Sequence, residues 1–206
     1  VLPSIFEIFI YKTMYMKLCL VLLVCFLLFL SQIFAQVGNT QLQIGGGYAN
    51  ALNNNKGGYT VFLQVNKNVY NKISIATEFE HLEYKQPNVY VVNPTKNPNQ
   101  KVADNNFSLL FKYNLFQKNK FNISVATGAT YKVKLIEYYY TYTLTGFPGE
   151  ITDRNVVGGS FIEMPFIAEM FQTVSKKLAI AFRYKYNWSV KDVSTNSLSI
   201  GAALKL

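Results

Sequence analysis

The chain has 206 residues, a formal net charge of +9 and a pI near 9.4. Half of it is hydrophobic and 16% is aromatic, yet only 15% is charged, against roughly a quarter in ordinary soluble domains. The lysines are scattered, with no run longer than Lys176-Lys177, so the charge lacks the clustered stripe of a nucleic-acid binder and nucleic acid is not expected as a partner.

In chain order, residues 1–15 (VLPSIFEIFIYKTMY) precede the first plausible start, Met16, and are read as an upstream extension outside the fold. Residues 16–35 carry Lys17, an apolar run over 18–30 and a small residue at Ala35. That order of basic start, short apolar stretch and small residue predicts a cleaved secretory signal peptide. The apolar run is shorter than the roughly 20 residues of a membrane-spanning helix. Both cysteines, Cys19 and Cys25, fall inside it, so residues 36–206 hold no thiol. With His81 as the only histidine, no metal centre and no cofactor site are expected.

From Thr40 onward the pattern has period two, interrupted by Asn, Gly, Pro and Lys clusters. Eight alternating segments follow: QLQIGGGY (near 41–49), YTVFLQVNKNV (59–69), ISIATEFEHLEY (73–84), NFSLLFKYNL (106–115), FNISVATGATYKVKLIEYY (121–139), GSFIEMPFIAEMF (159–171), LAIAFRYKYNWSV (178–190) and SLSIGAALKL (197–206). No stretch of 36–206 repeats at 3.6 residues, so the domain is predicted to be all-β. The connectors alternate between short (71–72, 117–120, 172–177) and longer (51–58, 85–105, 141–158, 191–196). Short turns at one end and long loops at the other suit a transmembrane barrel.

Each segment has one apolar and one polar face. Leu178, Ile180, Phe182, Tyr184, Tyr186 and Trp188 alternate with Arg183, Lys185, Asn187 and Ser189. A soluble barrel would turn the apolar face inward; a membrane barrel inverts that polarity. The segments reach the roughly 9–11 residues that cross a bilayer at a tilt. Aromatics gather at their ends, with Tyr70, Phe116, Phe121 and Phe171 near the short turns and Tyr59, Tyr84, Tyr138 and Trp188 near the long loops, as interfacial girdles do. The polar faces carry both signs of charge, and the last segment runs to the final residue. The predicted fold is an all-β, eight-stranded antiparallel up-and-down transmembrane β-barrel over 36–206.

The ending SIGAALKL resembles the C-terminal assembly signal of bacterial outer-membrane barrels. Ser199, Gly201, Leu204 and Leu206 fill its polar, glycine and hydrophobic positions, with Leu206 where that family usually has Phe. Together with the leader and eight segments, the chain is similar to the small OmpX and OmpA-barrel type. The resemblance implies outer-membrane localisation with both termini periplasmic, contact with outer-membrane lipid, and delivery by the barrel-assembly machinery through the last strand.

An eight-stranded barrel is just wide enough for side chains to fill. The polar faces would place Glu78, Glu80, Lys112, Lys132, Lys134, Glu163, Glu169, Arg183 and Lys185 inside. Strand adjacency predicts Glu78 and Glu80 beside Lys112, and Glu163 and Glu169 between the Lys132/Lys134 and Arg183/Lys185 strands. Buried charges must be paired, so these nine read as a charge plug. A narrow ion path is the sharper alternative. His81 has no Ser or Asp at motif spacing and reads as a surface residue; no catalytic residue and no enzyme activity are expected. Residues 137–150 continue alternating past membrane length and turn at FPG (147–149), which suggests that the 137–158 hairpin is a ribbon able to recruit a protein by strand addition. The 85–105 loop, with three prolines, reads as irregular, with a short VYVV strand. Three roles stay open: a non-enzymatic structural or adhesion-type surface protein, a channel or secretion-machine accessory, and a secreted lipocalin-like barrel binding an apolar ligand.

Overall fold

The computed structural model describes residues 40–52, 57–87, 99–143, 150–190 and 192–206. The predicted leader (16–35), the upstream extension (1–15), the VYVV stretch and the FPG turn lie outside the described residues. Eight strands form one closed antiparallel barrel in sequence order: β1 Thr40–Ala51, β2 Gly57–Tyr70, β3 Ile73–Pro87, β4 Asn99–Lys118, β5 Phe121–Thr143, β6 Glu150–Thr173, β7 Leu178–Trp188 and β8 Thr195–Lys205. The closing ladder runs from Gln41 opposite Lys205 to Ala51 opposite Thr195. Closure leaves no sheet edge within the wall, which hydrocarbon requires because it offers backbone groups no hydrogen bonds.

The alternation decides which side of the wall each residue meets. Inside lie Ala181, Arg183, Lys185 and Asn187 on β7, all buried; outside lie Ile180, Phe182, Tyr184 and Trp188, all exposed. On β8, Ser197 and Ser199 are buried while Leu198 is 63% and Ile200 is 54% exposed. The charged face is therefore inside and the Leu/Ile/Tyr face outside. A lipocalin-like cavity needs the reverse, so the soluble ligand-binding reading is corrected here: its apolar lining is on the outer surface.

Parity also corrects two girdle residues. Phe171 shares its parity with Glu163 and Glu169 and is buried in the lumen, and Tyr84 shares that of Glu78 and Glu80 and is buried too. Tyr70 and Phe116 do face outward, although their parity matches inward residues. The register shifts between Asn68 and Tyr70 and between Asn114 and Phe116 explain this. Each bulge adds one residue, which turns the next side chain to the other face.

β4 and β6 exceed their predicted segments most. β4 begins at Asn99 rather than near 106, and β6 at Glu150 rather than 159. Their extra residues pair well beyond membrane length, with Pro87 opposite Asn99 and Thr143 opposite Glu150. Outside the bilayer no lipid face enforces alternation, so the sequence over 99–105 and 151–158 carries no clear period. Among the short turns, Asn119 takes φ 52°, a left-handed conformation that Asn tolerates.

Apolar residues also enter the lumen. Ala76, Leu110, Ala126 and Ile167 form one cluster; Phe171, Ala179, Ala181 and Ala203 form another at the short-turn end. A third, Ala49, Ala51, Leu82, Tyr84 and Val102, lies toward the long loops.

Candidate functional site: the charged lumen and its rims

The nine lumen residues singled out above are all 5% exposed or less. The β3–β7 layer joins opposite walls of the barrel. Lys185 Nζ lies 2.7 Å from Glu78 Oε1 and 2.5 Å from Glu80 Oε2, and an Arg183 guanidinium nitrogen lies 2.5 Å from Glu78 Oε2. Glu80 also accepts hydrogen bonds from Thr60 (3.1 Å), Asn106 (3.3 Å) and Ser197 (3.3 Å). Arg183 lies over the Phe62 ring, 4.3 Å from its centroid. Nearer the short turns, Lys112 pairs with Glu169 and sits 4.8 Å from the centre of the Phe171 ring. Gln43 Nε2 donates to Glu169 at 3.4 Å.

Toward the long loops, Lys132 Nζ is shared among Glu163 (2.8 Å), Asp104 (3.1 Å) and Asp192 (3.1 Å). Lys134 Nζ reaches the other Asp192 oxygen at 2.6 Å, and the Tyr84 hydroxyl donates to Asp104 at 3.1 Å. Asp192 belongs to the β7–β8 connection, so two wall lysines clasp that loop over the lumen. Burial opposes ionisation of Asp192, but the Lys132 charge and the Lys134 hydrogen bond overcome it and hold the carboxyl below its ordinary value.

The expected pairing of Glu78 and Glu80 with Lys112 is corrected by the register. Lys112 stands opposite Ser74 and Glu78 opposite Ser108, so Lys112 lies nearer the short turns and meets Glu169 instead. In so narrow a barrel long side chains span the lumen, so cross-lumen pairs such as Lys185 with Glu78 stand beside adjacent-strand pairs such as Lys132 with Glu163. Asp104, Asp192, Tyr84 and Phe62 were missed. Asp104 carries the parity of Lys112 and becomes visible once β4 is extended back past 106. Asp192 sits in a loop and carries no periodic signal.

Outside the wall, a polar cluster marks where the apolar belt stops. Glu83 takes Lys101 Nζ at 2.9 Å and the Tyr59 hydroxyl at 3.0 Å, and His81 Nδ1 lies 2.9 Å from Asn105 Oδ1. Burial pushes the Glu83 carboxyl up, but the hydrogen bonds from Lys101 and Tyr59 outweigh it and hold it below the usual carboxylate range. His81 is thus an outward, half-buried residue engaged with Asn105. Among the described residues no group of acids, histidines and cysteines could hold a metal.

At the other end, the predicted assembly residues lie on the closing seam. Ser199 points inward, Leu204 and Leu206 are exposed, and Gly201 stands opposite Gly45. A Cβ on Gly201 would fall 2.5 Å from the Ile44 carbonyl, and one on Gly45 would meet Ile200 O at 2.6 Å and Phe62 at 2.7 Å. The seam is therefore close-packed through glycine on both strands. At the short-turn end of the barrel a cavity of about 110 Å³ is lined by Gln41, Gln117, Asn119 and Lys120 and reaches Phe171.

Closed strand order, apolar exterior and charge-filled interior define a small eight-stranded outer-membrane-type β-barrel. Solved structures share that fold. Neisserial surface protein A is 14% identical, with 81% of this chain and 96% of that one covered and a TM-score of 0.50. OprG from Pseudomonas aeruginosa is 8% identical, with 82% and 97% covered and a TM-score of 0.52. No family model and no curated protein sequence matches the chain.

Proposed function

We propose that this protein is a non-enzymatic outer-membrane barrel that acts as a surface scaffold, with a plugged lumen and an exposed β-ribbon for binding. Both termini then lie on the periplasmic side, and the barrel-assembly machinery engages β8 through Gly201 and the terminal leucines. The lumen supports the plug: six carboxylates (Glu78, Glu80, Asp104, Glu163, Glu169, Asp192) face five cations (Lys112, Lys132, Lys134, Arg183, Lys185). Such compensation fits a sealed core better than a selective pore, which concentrates one sign of charge.

The observation that carries the binding role is the β5–β6 ribbon. Its ladder continues for seven residue pairs past Ile136, from Glu137 opposite Val156 to Thr143 opposite Glu150, about 23 Å of extended chain. The β6–β7 ladder covers only 164–173, so the β7 side of ribbon residues 150–155, like that of 157–163 below them, offers backbone groups to an added strand. The test compares the full barrel with a version in which 138–155 is trimmed to an Asn-Gly turn, both displayed on a non-adherent host. Adherence to cells by the full barrel alone is the expected result; equal adherence by both refutes the ribbon's role. Sustained discrete openings in planar bilayers would replace the plug with a pore.

A further inference from the structure

The lumen charges nearly cancel, so the +9 of the chain must reside elsewhere. It is unevenly placed. Six exposed lysines ring the short-turn end: Lys72 in the β2–β3 turn, Lys118 and Lys120 at the β4–β5 turn, Lys176 and Lys177 in the β6–β7 turn, and Lys205 at the end of β8. No carboxylate side chain accompanies them among the described residues. Glu169 is the acid nearest that end, and it is buried on Lys112. Among the described residues the remaining acids, Glu83, Glu137, Glu150 and Asp153, all belong by position to the long-loop half of β3, β5 and β6. The ring is drawn together by backbone as well as by turns, since the Lys205 amide bonds the Lys177 carbonyl.

Depth identifies what the ring faces. Lys72 follows Tyr70, which is 74% exposed, by two residues, and Lys118 follows the exposed Phe116 by two. Exposed Leu178 and Leu204 stand beside Lys177 and Lys205. Outward aromatics settle at the membrane–water interface, so the ammonium groups lie at or just beyond the headgroup level. Long lysine side chains there snorkel to phosphate. A cationic ring at that depth, with no described acidic side chain beside it, attracts an anionic lipid surface through each lysine.

We propose that the short-turn rim is a binding site for anionic phospholipid, recognising headgroup phosphodiesters in the leaflet at that end. This rests on the membrane-barrel reading above. It gives the two ends of the barrel different partners: protein at the ribbon, acidic lipid at the turns.

The full chain from 36 onward is refolded into phosphatidylcholine vesicles containing a trace of spin-labelled phosphatidylglycerol or spin-labelled phosphatidylcholine. Electron paramagnetic resonance reads the fraction of each label immobilised by the barrel. Phosphatidylglycerol should be preferred about fivefold or more at low salt, with the preference collapsing in 1 M salt because exposed charges are screened. Replacing Lys72, Lys118, Lys120, Lys176 and Lys177 with Gln should bring the ratio near one. Lys85→Gln, an exposed lysine at the opposite rim, should leave it unchanged. A barrel that inserts, shown by its heat-dependent gel shift, but immobilises both labels equally overturns the lipid site and spares the membrane reading. A chain that does not insert overturns both. Equal immobilisation together with salt-sensitive binding to purified peptidoglycan would assign the ring to an acidic polymer instead, against the proposal.

Discussion

Lys185→Met tests whether the lumen is held by paired charge. The ammonium is fully buried and contacts Glu78 at 2.7 Å and Glu80 at 2.5 Å. Methionine keeps most of the volume and removes the charge. Glu78 retains Arg183, but Glu80 is left with three neutral donors from Thr60, Asn106 and Ser197. Removing one partner of a buried pair costs about 3–5 kcal/mol. The expected deficit at pH 7 is therefore about 3–5 kcal/mol. Urea unfolding of vesicle-inserted barrel, followed through the fluorescence of the single Trp188, measures it. The double variant Lys185→Met/Glu80→Gln should recover most of the loss at pH 7, because it removes the stranded charge. A deficit under about 1 kcal/mol at pH 7, or no recovery in the double variant, would refute the reasoning.

Asp192→Asn should free the β7–β8 loop while leaving the wall intact, since Lys132 keeps Asp104 and Glu163; hydrogen exchange should rise over 189–194 and stay low in β5. The Asp192 carboxyl is depressed below its ordinary 3.8, so the clasp is fully present above about pH 4 and is lost as pH falls through the lower folded value. Loop protection should accordingly be flat from pH 7 to 5 and fall only below 4; a loss at pH 6 would contradict the assignment. Gly201→Val should destabilise closure by about 1–3 kcal/mol through overpacking against the Ile44 carbonyl, whereas Ala202→Val on the exposed outer face should stay within about 0.5 kcal/mol. Both are read by the same urea titration, and equal effects would remove the close-packed seam from the account. Tryptophan fluorescence of Phe62→Leu should show a modest loss, about 1 kcal/mol or less, from the missing Arg183 ring contact; none at all would make that contact incidental.

Strand number, closure and facing were legible because lipid and lumen impose opposite demands on successive residues, and Phe182, Arg183, Tyr184 and Lys185 record both. Where that demand ends, the pattern ends too. The outer half of β6 has no lipid on one side and no core on the other, so 150–158 gave no periodic cue to its pairing with β5. Bulges at Val69 and Leu115 are likewise silent, since one added residue looks like an ordinary strand end. Lumen membership could be read from parity, and strand order sets Glu163 beside Lys132, but the partners that reach past the neighbouring strand could not be read. Lys112 meets Glu169, and Glu78 meets Arg183, because of stagger between strands, which the spacing within any one strand does not contain. Asp192 reaches the lumen from a loop, beyond any periodic argument.

The central claim is that the apolar face of every strand meets lipid and the charged face fills the interior. Residues 36–206 contain no cysteine, so single cysteines can be placed and labelled without background. Environment-sensitive labels at Ile180, Phe182 and Tyr184 of the vesicle-inserted barrel should be quenched by doxyl-labelled lipid, while labels at Ala179 and Ala181 should not. The same alternation should appear at Leu198 and Ile200 against Ser197 and Ser199. Quenching without alternation, or quenching of the first set by iodide in water rather than by lipid, would contradict it.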